Sequence, residues 1–163
     1  MLNIDEVKAW YVAEVNERME DAGLAPNQIA HLCELKYEAV YGYLQAKPFP
    51  RVWNLILLAE CLDCSVNDLL GYDELDDVDV YEKRLASKLY FGELEYAIHF
   101  SRRLLRIMEE RSLLLEQMRD RTGIGIAKIR DWISDRPESL PSVLNLLRLA
   151  DALKCTPSDL LGY

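Results

Sequence analysis

Leu62 to Tyr72 reads LDCSVNDLLGY, and Leu153 to Tyr163 reads LKCTPSDLLGY. Seven of the eleven positions are identical, and the two stretches are separated by 91 residues. Self-similarity at a fixed offset indicates that one structural unit occurs twice in the chain. This repeat therefore decides the fold more than any single motif does.

The repeat extends upstream from these two stretches. At the same offset, Pro50 pairs with Pro141, and before Pro48 the offset falls to 89 because the second copy has two extra residues in a loop. The copies run from about residue 10 to 72 and from about residue 99 to 163. We therefore predict a first domain over residues 1–72, a connector over 73–98 and a second domain over 99–163.

Apolar residues in both copies recur with helical spacing, and no segment alternates as an amphipathic strand would. Pro26 suits a first helical turn, and Ser65 and Thr156 suit the N-caps of a last helix. The helices predicted in copy one are Ile4–Asp21, Pro26–Glu34, Tyr37–Gln45, Arg51–Leu62 and Val66–Leu70. Those predicted in copy two are Phe100–Arg111, Leu115–Thr122, Ile126–Ser134, Pro141–Leu153 and Pro157–Leu161.

The connector between the copies begins with a cluster of like charges. Asp73–Asp79 is predicted to be a solvated acidic loop. Tyr81–Ile98 has helical apolar spacing and is predicted to be a connector helix that runs into the first helix of copy two. Gly92 is its weak point, because glycine disfavours a helix interior.

The composition is that of a globular protein, with 50% hydrophobic and 29% charged residues. No apolar run approaches the roughly 18 residues that a membrane span needs. Residues 1–6 have neither the basic nor the apolar region of a secretion signal. We therefore expect a cytoplasmic protein that does not contact a membrane.

The cysteines and histidines do not form a recognisable metal or catalytic pattern. Cys61 and Cys64 make one C-x-x-C, but neither a second such pair nor H-x3–5-H spacing follows. His31 and His99 lack catalytic partners by motif, and there is no glycine-rich phosphate loop. We expect no enzyme activity, no metal and no cofactor. The four cysteines are expected to act as small buried hydrophobes: Cys33, Cys61, Cys64 and Cys155.

Residues 23–36 read GLAPNQIAHLCELK, which resembles the G-L-S-Q-x-x-L-A-x-x-L-G-V-S signature of the Cro- and phage-repressor-like (XRE-type) helix-turn-helix family. Copy two is similar to the same family through Gly123, Ile129, Trp132 and the run at 159–161. The resemblance implies an all-α protein with two five-helix lambda-repressor-like helix-turn-helix domains joined by an acidic helical connector. It also implies transcription regulation in a phage or other mobile element.

Both copies depart from the family at positions that contact DNA in its members. The Gln at the start of helix two aligns with Pro26 and Leu115, and the Ser before the recognition helix aligns with Lys36 and Gly125. A fold does not determine a function. Two functions therefore stay open: a sequence-specific DNA-binding regulator, or a protein-binding module that acts as an antirepressor, an assembly partner or an acidic mimic of nucleic acid.

The charges of the copies favour copy two as the DNA-reading one. Residues 10–72 have four basic and nine acidic side chains, whereas residues 99–163 have eleven basic and nine acidic ones. Lys and Arg side chains supply most of the non-specific affinity for DNA by neutralising phosphates. The candidates in copy two are Lys128 and Arg130 for base edges or phosphates, and Arg119, Arg121 and Arg136 for phosphates. The alternative is a solvated face of mixed charge beside Asp120 and Asp131.

Copy one adds three candidate DNA-binding residues, which lie outside the expected core of its third helix: Lys36, Tyr37 and Tyr41. Exposed tyrosines beside one basic residue favour a protein-contact surface over a DNA-reading one. The partners we expect are double-stranded DNA, a protein that binds copy one, and a second copy of the chain in a homodimer. All three tryptophans are expected in the core: Trp10, Trp53 and Trp132.

Overall fold

A computed structural model of the chain describes residues 2–72 and 92–162. These residues form helices and loops without strands, as predicted for an all-α protein. They divide into two compact units, one over residues 3–72 and the other over residues 92–162. The predicted acidic loop and the connector helix as far as residue 91 lie outside the described residues. None of the described helices is long and apolar enough to cross a membrane.

Each unit contains five described helices. Those of the first unit are α1 (Ile4–Ala22), α2 (Pro26–Leu32), α3 (Tyr37–Tyr43), α4 (Val52–Cys61) and α5 (Val66–Leu70). Those of the second unit are α6 (Glu93–Glu110), α7 (Leu115–Thr122), α8 (Ile126–Trp132), α9 (Val143–Leu153) and α10 (Pro157–Leu161). When the offsets of the repeat are applied, α3 coincides with α8 and α5 with α10.

Five helices have shorter bounds than predicted: α2, α3, α4, α8 and α9. α2 ends at Leu32, because Glu34 has a positive φ of 54° that a continuing helix does not allow. α3 and α8 each end two residues before their predicted limits. α9 begins at Val143 instead of Pro141, after Ser142, whose hydroxyl accepts from the Asn145 amide at 3.2 Å.

The first helix of the second unit is longer than predicted. α6 begins at Glu93 instead of Phe100, and Gly92 is its N-cap, with its amide donating to Glu95 Oε2 at 3.0 Å. Tyr96 and Ala97 are buried in the unit. Residues 93–98, which we predicted as the end of the connector helix, are therefore the first residues of α6.

Each unit closes around its own apolar core. In the first unit α1 packs on α5, α2 on α3 and α4, and α4 on α5. In the second unit α6 packs on α8 and α10, α7 on α8 and α9, and α9 on α10. Burying one large apolar side chain contributes about 1.5–3 kcal/mol, so these cores stabilise helices too short to persist alone.

The two cores use equivalent positions of the repeat. Seven fully buried side chains of the first unit are Tyr11, Val15, Ile29, Val40, Leu55, Leu58 and Leu69. Their equivalents in the second unit are also fully buried: Phe100, Leu104, Met118, Ile129, Leu146, Leu149 and Leu160.

The last helix of each unit begins with the predicted N-cap. Ser65 Oγ accepts from the Asp68 amide at 2.9 Å, and the Asp68 carboxylate accepts from the Ser65 amide at 2.8 Å. In the second unit, Thr156 Oγ1 accepts from the Asp159 amide at 3.1 Å, and the Asp159 carboxylate accepts from the Thr156 amide at 2.8 Å. A reciprocal capping pair satisfies two amides that a helix start leaves unpaired.

Trp10 is not the core residue that we predicted. Its side chain is 52% exposed, and its Nε1 donates to the carbonyl of Asp68 at 2.9 Å, which joins α1 to α5. In the second unit the equivalent carbonyl, of Asp159, accepts from Arg103 at 2.9 Å. The two units thus join their first and last helices with different side chains, since Arg103 aligns with Glu14 and not with Trp10.

The other two tryptophans are more buried. Trp132 is in the core of the second unit, as predicted, and Trp53 is half-buried. None of the four cysteines, all of which lie in the described part of the chain, forms a disulfide bond. Cys33 and Cys64 are buried, whereas the two others, Cys61 and Cys155, are only half-buried.

Candidate nucleic-acid interface

The second unit joins α7 to α8 by a three-residue turn. Gly123 follows α7 with φ 72°, and its amide donates to the Arg119 carbonyl at 2.8 Å. Thr122 Oγ1 donates to the Met118 carbonyl and accepts from the Ile124 amide, at 2.6 and 3.1 Å. These local bonds, together with the burial of Ile124, determine the direction in which α8 leaves the turn.

α8 is held against the unit by two buried side chains, Ile129 and Trp132. The Trp132 ring packs edge-on against Phe100 of α6, with centroids 6.1 Å apart. Ser101 Oγ donates to the carbonyl of Ser134 at 3.0 Å and so ties α6 to the loop after α8. Because these contacts occupy the inner face of α8, its intervening residues are exposed.

The predicted cationic side chains differ in how available they are for contacts with phosphates. Arg121 and Arg130 are exposed, and neither forms an ion pair within residues 2–72 and 92–162. Arg119 is bonded to Asp120, with Nη2 and Oδ1 2.8 Å apart. The neighbouring carboxylate offsets part of the Arg119 charge, so Arg121 and Arg130 are the stronger candidates for phosphate contacts.

Lys128 and Arg136 share a cavity beside α8. They line a cavity of about 280 Å³, together with Asp131, Trp132, Ser134, Glu138 and Ser139. Lys128 Nζ lies 5.7 Å from the centroid of the Trp132 ring, a cation–π distance. The cavity has two cationic and two acidic side chains, so its charge is mixed.

The start of α7 is apolar where a DNA-contacting helix would be polar. Leu114 is the N-cap and is 65% exposed, and Leu115 behind it is half-buried. The side chain of Gln117 accepts from the Leu114 amide at 2.8 Å. In the first unit, the side chain of Gln28 accepts from the Ala25 amide at 2.7 Å. The repeat pairs these two glutamines, and both cap the second helix of their unit.

The first unit presents a different surface on its equivalent helices. Leu32 and Tyr41 are 59% and 54% exposed, and they stand where the second unit has Arg121 and Arg130. Tyr37 and Tyr41 stack, with ring centroids 6.3 Å apart and planes at 25°. This surface is aromatic and aliphatic instead of cationic.

Lys36 is the N-cap of α3 and is exposed. It therefore adds one cation to the surface formed by Leu32, Tyr37 and Tyr41. Within residues 2–72 and 92–162, no group of three or more His, Cys, Asp or Glu side chains is arranged to hold a metal ion.

Comparison with known proteins identifies part of the second unit. Residues 103–163 match the family profile of the Cro/C1-type HTH DNA-binding domain. No curated protein and no solved structure matches the chain. The matched residues include α7, the turn and α8, whose geometry is described above. The match supports the predicted XRE-type helix-turn-helix for this part of the chain, and it supports a DNA-binding regulator.

Proposed function

We propose that the protein is a transcriptional regulator with two tandem Cro/repressor-type helix-turn-helix domains, of which the second contacts DNA. The proposed domains are residues 1–72 and 99–163, joined by the connector of residues 73–98, with α6 extending back into the connector. The equivalent helices and cores of the two units support the tandem arrangement. The family match of residues 103–163 supports the role of the second domain.

The observation that carries this assignment is the difference between the units at equivalent surface positions. Arg121 and Arg130 in the second unit are replaced by Leu32 and Tyr41 in the first, and all four side chains are exposed. Cationic side chains neutralise phosphates, whereas exposed leucine and tyrosine do not. The second unit therefore has the surface that suits a DNA backbone.

In this proposal α8 is the recognition helix that enters the major groove. Arg130 projects from the exposed face of α8 towards base edges or phosphates, and Arg121 contacts the backbone from the end of α7. Lys128, in the first turn of α8, and Arg136, in the loop after it, contact phosphates from the cavity that they share. Arg119 contributes less, because Asp120 already accepts from its guanidinium.

A titration with a random-sequence DNA duplex, followed by fluorescence anisotropy at several salt concentrations, tests the proposal. Each phosphate contact steepens the dependence of log K on log salt by about 0.9, so four contacts give a slope of about −3.6. Arg121→Leu and Arg130→Tyr, which install the residues of the first unit, should each make the slope shallower by about 0.9.

The matched control is Arg106→Leu, which removes the same charge from α6. Arg106 is exposed and lies 3.7 Å from Glu110, away from α7 and α8 in sequence. We expect this variant to retain the slope of the natural chain. Absence of salt-sensitive binding even at low ionic strength would contradict the proposal, as would an equal loss in Arg106→Leu.

The surface of the first unit favours a second function, binding to a protein. The exposed side chains Leu32, Tyr37 and Tyr41 form a surface rich in tyrosine, a residue type that is enriched at protein interfaces. If this surface binds protein and not DNA, Tyr37→Ala and Tyr41→Ala should leave DNA affinity and its salt slope unchanged. A tenfold loss of DNA affinity in either variant would instead place the first unit on DNA.

A further inference from the structure

The repeat divides the four cysteines into two kinds. Cys64 and Cys155 occupy equivalent positions and are common to both units. Cys33 and Cys61 have no cysteine counterpart in the second unit. A role in the shared fold accounts for the first pair. It does not account for the second, which belongs to the first unit alone.

Cys33 and Cys61 meet where α2 packs against α4. Cys33 is the buried C-cap of α2, and its thiol donates to the carbonyl oxygen of Leu57 in α4 at 3.5 Å. In an α-helix the carbonyl of residue 57 also accepts from the amide of residue 61. The sulfur of Cys33 therefore lies against the turn that carries Cys61, and the two thiols are close enough to perturb each other's pKa.

The proximity of the two thiols gives them different reactivity. The neighbouring Cys33 thiol lowers the pKa of Cys61, whereas the neighbouring Cys61 thiol, and after it burial, raises the pKa of Cys33. Cys61 stands in the last turn of α4, where the helix dipole disfavours an anion, so the neighbouring Cys33 thiol offsets this effect. The thiolate is the nucleophile, and Cys61 is also the less buried of the two. Cys61 is therefore the thiol that reacts first.

We propose that Cys61 and Cys33 are an oxidation-responsive thiol pair that forms an intrachain disulfide between α2 and α4. With hydrogen peroxide as the oxidant, the Cys61 thiolate attacks one peroxide oxygen, hydroxide leaves and a sulfenic acid forms. The Cys33 sulfur then attacks the sulfenic sulfur and loses its proton, and the sulfenic oxygen leaves as water. Both thiols are oxidised to one disulfide, and the peroxide is reduced to two molecules of water.

The test uses the full chain, reduced and then exposed to hydrogen peroxide. Remaining thiols are alkylated after unfolding, and peptides are identified by mass spectrometry without reduction. We expect a peptide linked through Cys33 and Cys61, which dithiothreitol separates, while Cys155 stays alkylated. A link between Cys61 and Cys64, or no link under conditions that oxidise free cysteine, would overturn the proposal. The result does not depend on DNA binding.

Two variants test the separate roles with residues that the second unit already has. Cys33→Thr and Cys61→Ala install the equivalents Thr122 and Ala152. In Cys33→Thr, the sulfenic acid of Cys61 should persist and be trapped by dimedone. In Cys61→Ala, Cys33 should take up little dimedone, and equal labelling of the two variants would overturn the assigned order. The matched control Cys155→Ala should still form the disulfide.

One further measurement needs no variant and so does not depend on the folding of one. In the native reduced chain at neutral pH, iodoacetamide should alkylate Cys61 several-fold faster than Cys155, which is also half-buried. Equal or slower alkylation of Cys61 would contradict the activation of its thiol by Cys33.

Discussion

Tyr11→Phe is expected to stabilise the first unit, because it removes a buried hydroxyl that has no hydrogen-bond partner among the described residues. The Tyr11 side chain is fully buried in α1. Burial, and after it the neighbouring Tyr43, raises the pKa of Tyr11 above its ordinary value, so the group is a neutral phenol. Its ring packs against Phe49 with centroids 4.8 Å apart, a contact that phenylalanine would keep.

The expected gain follows from the cost of an unpaired buried polar group. That cost is about 1–3 kcal/mol, so the free energy of unfolding of the first unit should rise by about 1–3 kcal/mol. For a unit of this size, each kcal/mol corresponds to a rise in melting temperature of roughly 4–8 °C. The second unit has Phe100 at the equivalent position, where it is fully buried, so a phenylalanine suits this site in the repeat.

Hydrogen exchange measured by mass spectrometry at increasing urea concentrations separates the two units, because peptides from α1 and α6 report on each one. Tyr11→Phe should raise the urea midpoint of the α1 peptides and leave that of the α6 peptides unchanged. The matched control Phe100→Tyr places a hydroxyl in the second core and should lower the α6 midpoint. A Tyr11→Phe variant no more stable than the natural chain would refute the reasoning, because it would show that the hydroxyl is satisfied.

Three other substitutions test the local structure, each measured by urea unfolding. Gly123→Ala should destabilise the second unit by about 1–2 kcal/mol, because alanine is strained at φ 72°. The control Gly125→Ala, at φ −61°, should destabilise the unit less. Equal losses of stability in the two variants would show that the positive φ of Gly123 is not the cause. Thr156→Ala should cost about 1 kcal/mol through loss of the N-cap, whereas Thr156→Ser should keep most of that stability. Trp10→Phe should cost about 1 kcal/mol in the first unit by removing the bond to the Asp68 carbonyl, and an unchanged urea midpoint would show that this bond contributes nothing.

The sequence was sufficient for features that depend on neighbouring residues. α5 and α10 begin where predicted, because the N-caps Ser65 and Thr156 act on amides within three residues of themselves, and α7 also has its predicted bounds. The alignment of the copies also placed equivalent core positions together. In the candidate site, the burial of Ile129 and Trp132 leaves Arg130 exposed, as helical periodicity indicates.

Features that depend on residues far apart in the chain could not be predicted in this way. Trp10 and Arg103 make equivalent bonds from positions that do not align, so the repeat gave no signal for either. The sequence predicted a helix through residues 93–98, but it did not predict that these residues belong to the core of the second unit, because the burial of Tyr96 depends on the rest of that unit.

The sequence by itself determined the helical class, the repeat, the turn chemistry and the difference in charge between the copies. Only the tertiary structure decided which side chains meet across helices, including Cys33 with Cys61, and Lys128 with Arg136 around one cavity. The physical reason is that helical spacing and capping are local, whereas these contacts depend on how helices pack. Periodicity indicates which face of a helix is buried, but it does not indicate what that face is buried against.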